Sequence, residues 1–141
     1  MQLCLCGDSS RTPPLVHAAL SNGGLRLVDT GSTQFGGRLE VYQNNEWGTV
    51  CVDLWGFSDA TVACRQMGFV GVSVSDSSLF GSGASSQRIW LDNVACRGSE
   101  SRLIDCSHDS HTADCSHSED VGIVCTNGEL GRDGSFILII Q

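Results

Sequence analysis

The sequence predicts a small α+β domain, stapled by disulfide bonds and built from short strands, few helices and long loops. Two observations carry this prediction. Six of the eight cysteines lie between Cys51 and Cys125, and strand-like segments are interrupted by one segment with helical spacing. A domain of about 100 residues buries only about two-thirds of the surface that its unfolded chain exposes, so we expect covalent cross-links to support its core.

The first element is predicted to be a β-hairpin. Arg38 to Gln43 alternates apolar and polar residues, and strand-forming residues resume from Glu46 to Val52. Asn44 and Asn45 lie between these segments, and asparagine tolerates the positive φ that a two-residue hairpin turn requires.

One short helix is predicted next. Ser58 or Asp59 offers an N-cap oxygen, Ala60 to Met67 contains no helix breaker, and Gly68 supplies a left-handed terminator. Cys64 shares the helical spacing of the apolar residues in this segment, so it is predicted to face the core.

The remaining elements are less regular. Gly71 to Ser86 is rich in serine and glycine without a period, and we expect a long surface loop. Arg88 to Val94 and Val121 to Cys125 have the composition of short strands, and Ser99 to Asp105 is predicted to form one or two helical turns.

Both ends of the chain are interpreted as tails around a domain at residues 25–126. Residues 1–24 form a tail or linker that contains Cys4 and Cys6, which pair with each other, with another chain or with nothing. Residues 127–141 begin with an echo of the segment Asn22 to Arg26. The echo indicates either the start of a truncated further repeat or a coincidence between glycine-rich linkers.

The chain contains no apolar run approaching the roughly 20 residues of a membrane-spanning helix. Met1 to Cys6 is too short for the apolar core of a signal peptide. Because the cysteines indicate an oxidising compartment, we expect a fragment of a longer secreted or membrane-anchored protein, with no direct membrane insertion by this segment.

The charge balance is acidic. The chain has 16 acidic and 8 basic residues, a formal net charge of −8 and no lysine. This disfavours nucleic acid and anionic membranes as partners, whereas it is compatible with cations, with basic partners or with solubility alone.

Nothing in the sequence indicates catalysis. The six cysteines lack the close pairs of a structural zinc site, and the histidines at 108, 111 and 117 fall in a polar loop rather than on one helical face. A Gly-x-Ser-x-Gly elbow and a glycine-rich phosphate loop are also absent. We therefore predict that this module is not an enzyme.

Several motifs, in one order, resemble the scavenger receptor cysteine-rich (SRCR) domain. They are LRLV at 25–28, GRLEVY at 37–42, WGTVC at 47–51, the helical segment at 59–68, IWLDNV at 89–94 and CSHSEDVGIVC at 115–125. Phe35 and Phe69 stand where the eight-cysteine form has its two further cysteines, so the chain resembles the six-cysteine (group A) form. The resemblance implies a curved antiparallel sheet that cradles one main helix, with a short second helix.

Sequence spacing alone leaves many cysteine pairings open. The resemblance selects Cys51–Cys115, Cys64–Cys125 and Cys96–Cys106.

The resemblance also implies a calcium site, formed by an acidic pair after WGTVC and a glutamate before the last cysteine. Asp53 and Glu119 match, but Val52 replaces the first acidic residue and Gly56 occupies a further acidic position. We expect weak calcium binding and no other cofactor. In the alternative interpretation these two residues are surface carboxylates and Asp120 caps or orients a loop.

A second binding mode of the family captures polyanions with arginines on the sheet. Arg38 matches a basic position, and Arg26 and Arg88 are its nearest candidates. Trp55, beside the calcium position, is a further candidate ligand-binding residue.

The predicted function is extracellular recognition of proteins, microbial surfaces or polyanions by part of a larger receptor or secreted mosaic protein. The alternatives are an accessory domain of an extracellular enzyme, such as a mosaic serine protease or a lysyl oxidase relative, and a spacer that binds nothing. The sequence leaves the oligomeric state open.

Overall fold

The structure, a computed structural model, describes residues 21–31, 33, 35–77, 79–112, 114–130 and 136–139, with backbone alone for 77, 128–130 and 136–139. The elements, in chain order, are β1 (Leu25–Val28), β2 (Gly36–Gln43), β3 (Glu46–Val50), α1 (Phe57–Gln66), β4 (Gly71–Ser77), β5 (Arg88–Ala95), a 3₁₀ turn (Leu103–Asp105), β6 (Ser107–Asp109), a second 3₁₀ turn (His117–Glu119), β7 (Val121–Leu130) and β8 (Phe136–Ile139).

The strands form one curled sheet in the order β4-β7-β2-β3-β5-β6, with β1 added to β2 and β8 added to β7. The α+β class is confirmed. The sheet departs from the expected antiparallel pattern at one place, because β3 and β5 run parallel, with Thr49 opposite Ile89 and Val50 opposite Leu91. A helix and a strand lie between β3 and β5 in the chain, which is enough chain for a parallel return.

The predicted hairpin is confirmed. Gln43 lies opposite Glu46, and Asn44 and Asn45 have φ of 47° and 66°. Both turn residues are therefore left-handed, as a type I′ turn requires.

The helix begins earlier than predicted, at Phe57, and its N-cap is Gly56 rather than Ser58 or Asp59. Asp59 instead lies in the first turn, where its carboxylate accepts the backbone N–H of Gly56 at 2.7 Å and that of Cys96 at 2.6 Å. The buried carboxylate therefore caps the helix from inside and joins it to the end of β5.

The helix ends as predicted. Gly68 has φ of 95°, and the N–H of Phe69 donates to the carbonyl of Cys64 at 3.0 Å. This is the hydrogen bond of a Schellman motif, for which glycine is the favoured left-handed residue.

The expectation of a loop throughout residues 71–86 is wrong for its first half, which is β4. Val72 and Val74 lie opposite Cys125 and Val124 of β7, with a bulge between them. The alternating valines are a strand signal, but the serine-rich composition of the segment favoured a loop. Pairing with β7 supplies hydrogen bonds to backbone groups that, in a loop, would bond to water.

The predicted second helix is a single 3₁₀ turn at Leu103–Asp105. Leu103 is fully buried against the core. No helix among the described residues is long and apolar enough to cross a membrane.

The core lies between α1 and the concave side of the sheet. Its fully buried apolar residues include Leu39, Val41, Val50, Ala60, Val62, Ala63, Leu91, Val94, Leu103, Val121 and Ile123. Three disulfides surround this core: Cys51–Cys115, Cys64–Cys125 and Cys96–Cys106, with sequence separations of 64, 61 and 10 residues. These are the three pairs that the family resemblance implies.

The two expected tails are described only in part. Cys4 and Cys6 lie outside the described residues, as does the rest of 1–20. At the other end β7 continues past residue 126 to Leu130 and pairs with β8, so the described part of 127–141 extends the sheet. The further repeat suggested for 127–141 stays a prediction.

Replacing Cys64 and Cys125 together by alanine should lower the free energy of unfolding by about 2–5 kcal/mol, since the bond closes a long loop. Replacing Cys96 and Cys106, which close a loop of 10 residues, should cost less. Urea unfolding followed by tryptophan fluorescence measures both. A larger loss from the short-loop pair would contradict this account.

Candidate functional site

The site lies where the turn after β3 meets the segment that precedes β7. The Cys51–Cys115 disulfide joins the two. The N–H of Val52 also donates to the carbonyl of Glu119 at 2.8 Å, and Cys51 and Asp120 form an isolated β-bridge. The cross-link and this backbone pairing therefore hold Asp53 beside Glu119.

Asp53 occupies a tight turn from Val52 to Trp55, closed by a hydrogen bond of 2.9 Å from the N–H of Trp55 to the carbonyl of Val52. Loss of water around the carboxyl raises the pKa of Asp53, and repulsion from Glu119 and Asp114 raises it further. The two acidic residues expected at the site, Asp53 and Glu119, are thus brought together, and Asp114 joins them.

Asp92, in β5, is the member of the site that sequence analysis missed. Its side chain is fully buried. One carboxylate oxygen accepts the N–H of Asn93 at 2.8 Å, whereas Oδ2 is buried and no N–H group of the described residues donates to it. Asn93 itself has φ of 51°, and it lies at an irregularity in the β5–β6 pairing.

Burial is the largest cause that raises the pKa of Asp92. The hydrogen bond from Asn93 lowers this pKa, whereas a side-chain hydrogen bond shared with Asp114 and repulsion from Asp114 and Asp53 raise it further. A carboxylate oxygen of Asp92 and one of Asp53 lie within 4.8 Å of each other and of the Cys51 and Cys115 sulfurs. Both sulfurs belong to the disulfide, so the carboxylates are the donors available to a metal. The signal in the sequence was an aspartate at a core-facing position of an apolar strand.

We call Asp53, Asp92, Asp114 and Glu119 the acidic cluster. None of the four pairs with an arginine among the residues that the structure describes. Glu119 accepts the N–H of Ser116 at 3.1 Å, and Asp92 contributes a buried oxygen to which no N–H group of the described chain donates. Uncompensated carboxylate oxygens are the ligands that calcium prefers, and Asp53 and Asp92 bring two of them within 4.8 Å of each other.

The two family positions that lack acidic side chains have structural roles instead. Val52 is half-buried against the core, and Gly56 is the N-cap of α1. Asp92 and Asp114 are therefore the residues that could replace the missing carboxylates.

Asp120 orients a loop, as the alternative interpretation of the sequence proposed. It is buried, its Oδ2 accepts the N–H of Gly83 at 2.8 Å, and it lies 2.9 Å from Nδ1 of His117. Nε2 of the same histidine lies 2.8 Å from the carbonyl oxygen of Gln87. His117 and Asp120 thus hold the irregular segment between β4 and β5.

The three arginines expected to capture polyanions are each paired with a carboxylate. Arg26 binds Glu40 at 2.7 Å and lies 4.2 Å from the ring centre of Trp47. Arg38 is buried and binds Asp29 at 2.6 Å.

Arg38 also lies 3.5 Å from Glu40, so this buried glutamate is shared by two arginines. Arg88 is exposed on β5, 3.6 Å from Glu46. The arginines are therefore offset by acidic neighbours and do not form a patch of free positive charge.

Trp55 is half-buried at the edge of the acidic cluster. Its indole N–H donates to the Ser75 hydroxyl at 2.8 Å, and its ring lines an open cavity of about 310 Å³ together with Val52 and Phe57. The hydrogen bond to Ser75 thus fixes the nitrogen edge of the Trp55 ring, whereas the cavity leaves open space beside the ring.

Comparison with known proteins places this fold and cysteine pattern in one family. Residues 29–126 match the family model of the scavenger receptor cysteine-rich domain. The chain is 52% identical to lysyl oxidase homolog 2A of Danio rerio over 108 residues. This alignment covers 75% of this chain and 14% of the relative. It is 50% identical over 91 residues to the macrophage receptor MARCO of Mus musculus, which covers 64% of this chain and 17% of that receptor.

Solved structures agree with the family model. The third SRCR domain of murine neurotrypsin superimposes with a TM-score of 0.64 at 42% identity, over 72% of this chain and 94% of that domain. The present chain spans about one-seventh of the length of the lysyl oxidase relative, so it corresponds to one module of a longer protein there. By its matched residues, its fold and its three disulfides, the chain belongs to the scavenger receptor cysteine-rich domain family.

Proposed function

We propose that this domain is a ligand-binding module of a larger extracellular protein and that a calcium ion held by the acidic cluster forms part of its binding surface. The observation that carries the proposal is the buried Asp92 oxygen. In the described part of the chain no N–H group donates to it, and no arginine offsets the carboxylates around it. Burying an unpaired carboxylate is costly, and a bound cation would offset that cost.

A calcium ion at this place would act in two ways. It would neutralise the repulsion among the carboxylates and thereby join the Asp53 turn to the segment that carries Asp114 and Glu119. Calcium takes six to eight oxygen ligands, so it would also keep coordination positions for a carboxylate, sulfate or hydroxyl group of a ligand.

Among the expected ligands, we favour extracellular proteins and the anionic groups of microbial surfaces over direct capture of polyanions by arginines. The supporting observation is the pairing of Arg26 and Arg38 with Glu40 and Asp29, which leaves little free positive charge on that face. A polyanion would have to break these pairs, whereas a calcium-bridged ligand would not. The disulfides suit the extracellular setting of the family.

A second candidate function is an accessory role in an extracellular enzyme. The observation that favours it is the identity of 52% to a lysyl oxidase homolog, which is close to the 50% found for a scavenger receptor. In that case catalysis would lie in another domain, and this module would recognise a substrate or a matrix component. A domain that only spaces its neighbours would bind nothing.

Calcium should raise the melting temperature of the wild-type chain. With a dissociation constant of about 1 mM, about 10 mM calcium would stabilise the fold by about 1.4 kcal/mol, or about 5 °C. Glu119→Ala should abolish this rise, while Asp105→Asn, which changes an exposed carboxylate outside the acidic cluster, should retain it. Thermal unfolding with calcium and with EDTA tests the site, and an unchanged rise in Glu119→Ala would refute it.

Asp92→Asn should make the calcium-free domain more stable at pH 7 and insensitive to calcium. Because the pKa of Asp92 is raised in the folded state, its folded form holds a proton that the unfolded chain has already released. That contribution to stability is present at low pH and is lost as the pH rises through the raised pKa. The melting temperature of the variant should therefore exceed that of wild type more at pH 7 than at pH 4; an equal difference at both values would contradict the assignment.

Binding of the oxidised chain to intact bacteria and to polyanion-coated beads, with calcium and with EDTA, tests the function itself. We expect binding to bacteria that EDTA abolishes and that Glu119→Ala reduces. Arg26→Ala should leave this binding unchanged. Absence of binding under both conditions would favour the accessory or spacer role.

A further inference from the structure

An apolar surface lies directly beside the acidic cluster. Leu54 and Phe57 are 75% and 66% exposed, more than any other large apolar residue in the described part of the chain. Trp55 lies between them, and it lines the cavity of about 310 Å³ with Phe57 and Val52. We call Leu54, Trp55 and Phe57 the turn patch. Exposed apolar side chains are ordinary when scattered, whereas two within four residues, on either side of a half-buried tryptophan that lines a cavity, are typical of an interaction site.

The conformation of Leu54 is unusual for an apolar residue. It has φ of 62° at the third position of the Val52–Trp55 turn, where glycine or asparagine is favoured. The chain therefore keeps a large apolar side chain, pointing into solvent, at a position where its backbone is strained. Such strained residues concentrate at functional sites.

The turn patch has an acidic border. Asp53 belongs to the same turn as Leu54, and Glu119 and Asp114 are near enough to raise its pKa. The acidic cluster has four carboxylates, so a single divalent cation would still leave about two negative charges. A complementary surface would combine an apolar side chain with a positive charge.

We infer that the turn patch docks a segment of a partner protein in which a large apolar side chain lies next to a lysine or an arginine. A second copy of this chain is a poor occupant, because it has a net charge of −8 and would bring a second acidic cluster to the contact. This proposal rests on the proposed function and names the class of ligand. The contacts made by the apolar side chains of the turn patch do not depend on calcium.

The test uses the full chain and immobilised synthetic peptides, measured by surface plasmon resonance. One peptide repeats Gly-Lys-Leu, a second repeats Gly-Lys-Gly and a third repeats Gly-Glu-Leu. The variant Leu54→Asn with Phe57→Ser removes the apolar side chains and suits the local backbone, since asparagine tolerates positive φ. Leu79→Asn, which changes an exposed leucine outside the turn patch, is the matched control.

The wild-type chain should bind the Gly-Lys-Leu peptide more tightly than the other two. The double variant should lose about tenfold in affinity, and Leu79→Asn should lose none. Circular dichroism verifies that each variant is folded.

Three results would overturn the inference: unchanged affinity in the double variant, equal binding of the Gly-Lys-Gly peptide, or Leu54-dependent binding to phosphatidylcholine vesicles in place of peptide. Each binding measurement is repeated in EDTA, where the Leu54-dependent affinity should persist. If calcium does not raise the melting temperature of the wild-type chain, the cation site alone is rejected. The two proposals can therefore fail separately.

Discussion

The Cys51–Cys115 disulfide is the constraint on which the site depends. It ties the end of β3 to the segment before β7, 64 residues later, and so brings Asp53 beside Asp114 and Glu119. Without the bond, mutual repulsion would favour separation of Asp53 from Asp114 and Glu119. The covalent link thus makes an electrostatically unfavourable arrangement persist in the absence of a cation.

Two groups in the same region are energetically unfavourable, and the rest of the domain compensates for them. Asp92 has a buried oxygen to which no described N–H group donates, and Leu54 has a left-handed backbone. Around them, three disulfides and a fully buried apolar core supply the stability. A strained backbone and a buried, poorly satisfied carboxylate in one region are features that bound ligands can relieve.

The distribution of charge divides the molecule into two faces with different chemistry. On β1 and β2, the arginines and carboxylates neutralise one another around the buried Glu40, and Trp47 lies against Arg26. At the acidic cluster the carboxylates lack such partners within the described residues. All basic residues are arginine, and several of them pair with carboxylates on the sheet, whereas no described arginine balances the negative charge of the acidic cluster.

The sequence by itself determined the features that depend on neighbouring residues. Two asparagines predict the hairpin turn, Gly68 predicts the end of α1, and the ordered motifs predict the family and its α+β fold. Local signals suffice there because a turn or a helix end is decided by the φ preferences of one or two residues. The start of the helix was less predictable. The Asp59 carboxylate accepts the N–H of Gly56, but it also accepts the N–H of Cys96, which lies far away in the chain.

Only the tertiary structure decided which side chains meet. Asp92 joins Asp53 because a bulged strand lies beside the cross-linked turn, and Gly71–Ser77 becomes a strand because β7 offers it backbone partners. The pairing of Arg38 with Asp29 and Glu40 likewise depends on the register of β1 against β2. These outcomes follow from long-range strand pairing and disulfide closure, whose geometry no local residue preference encodes.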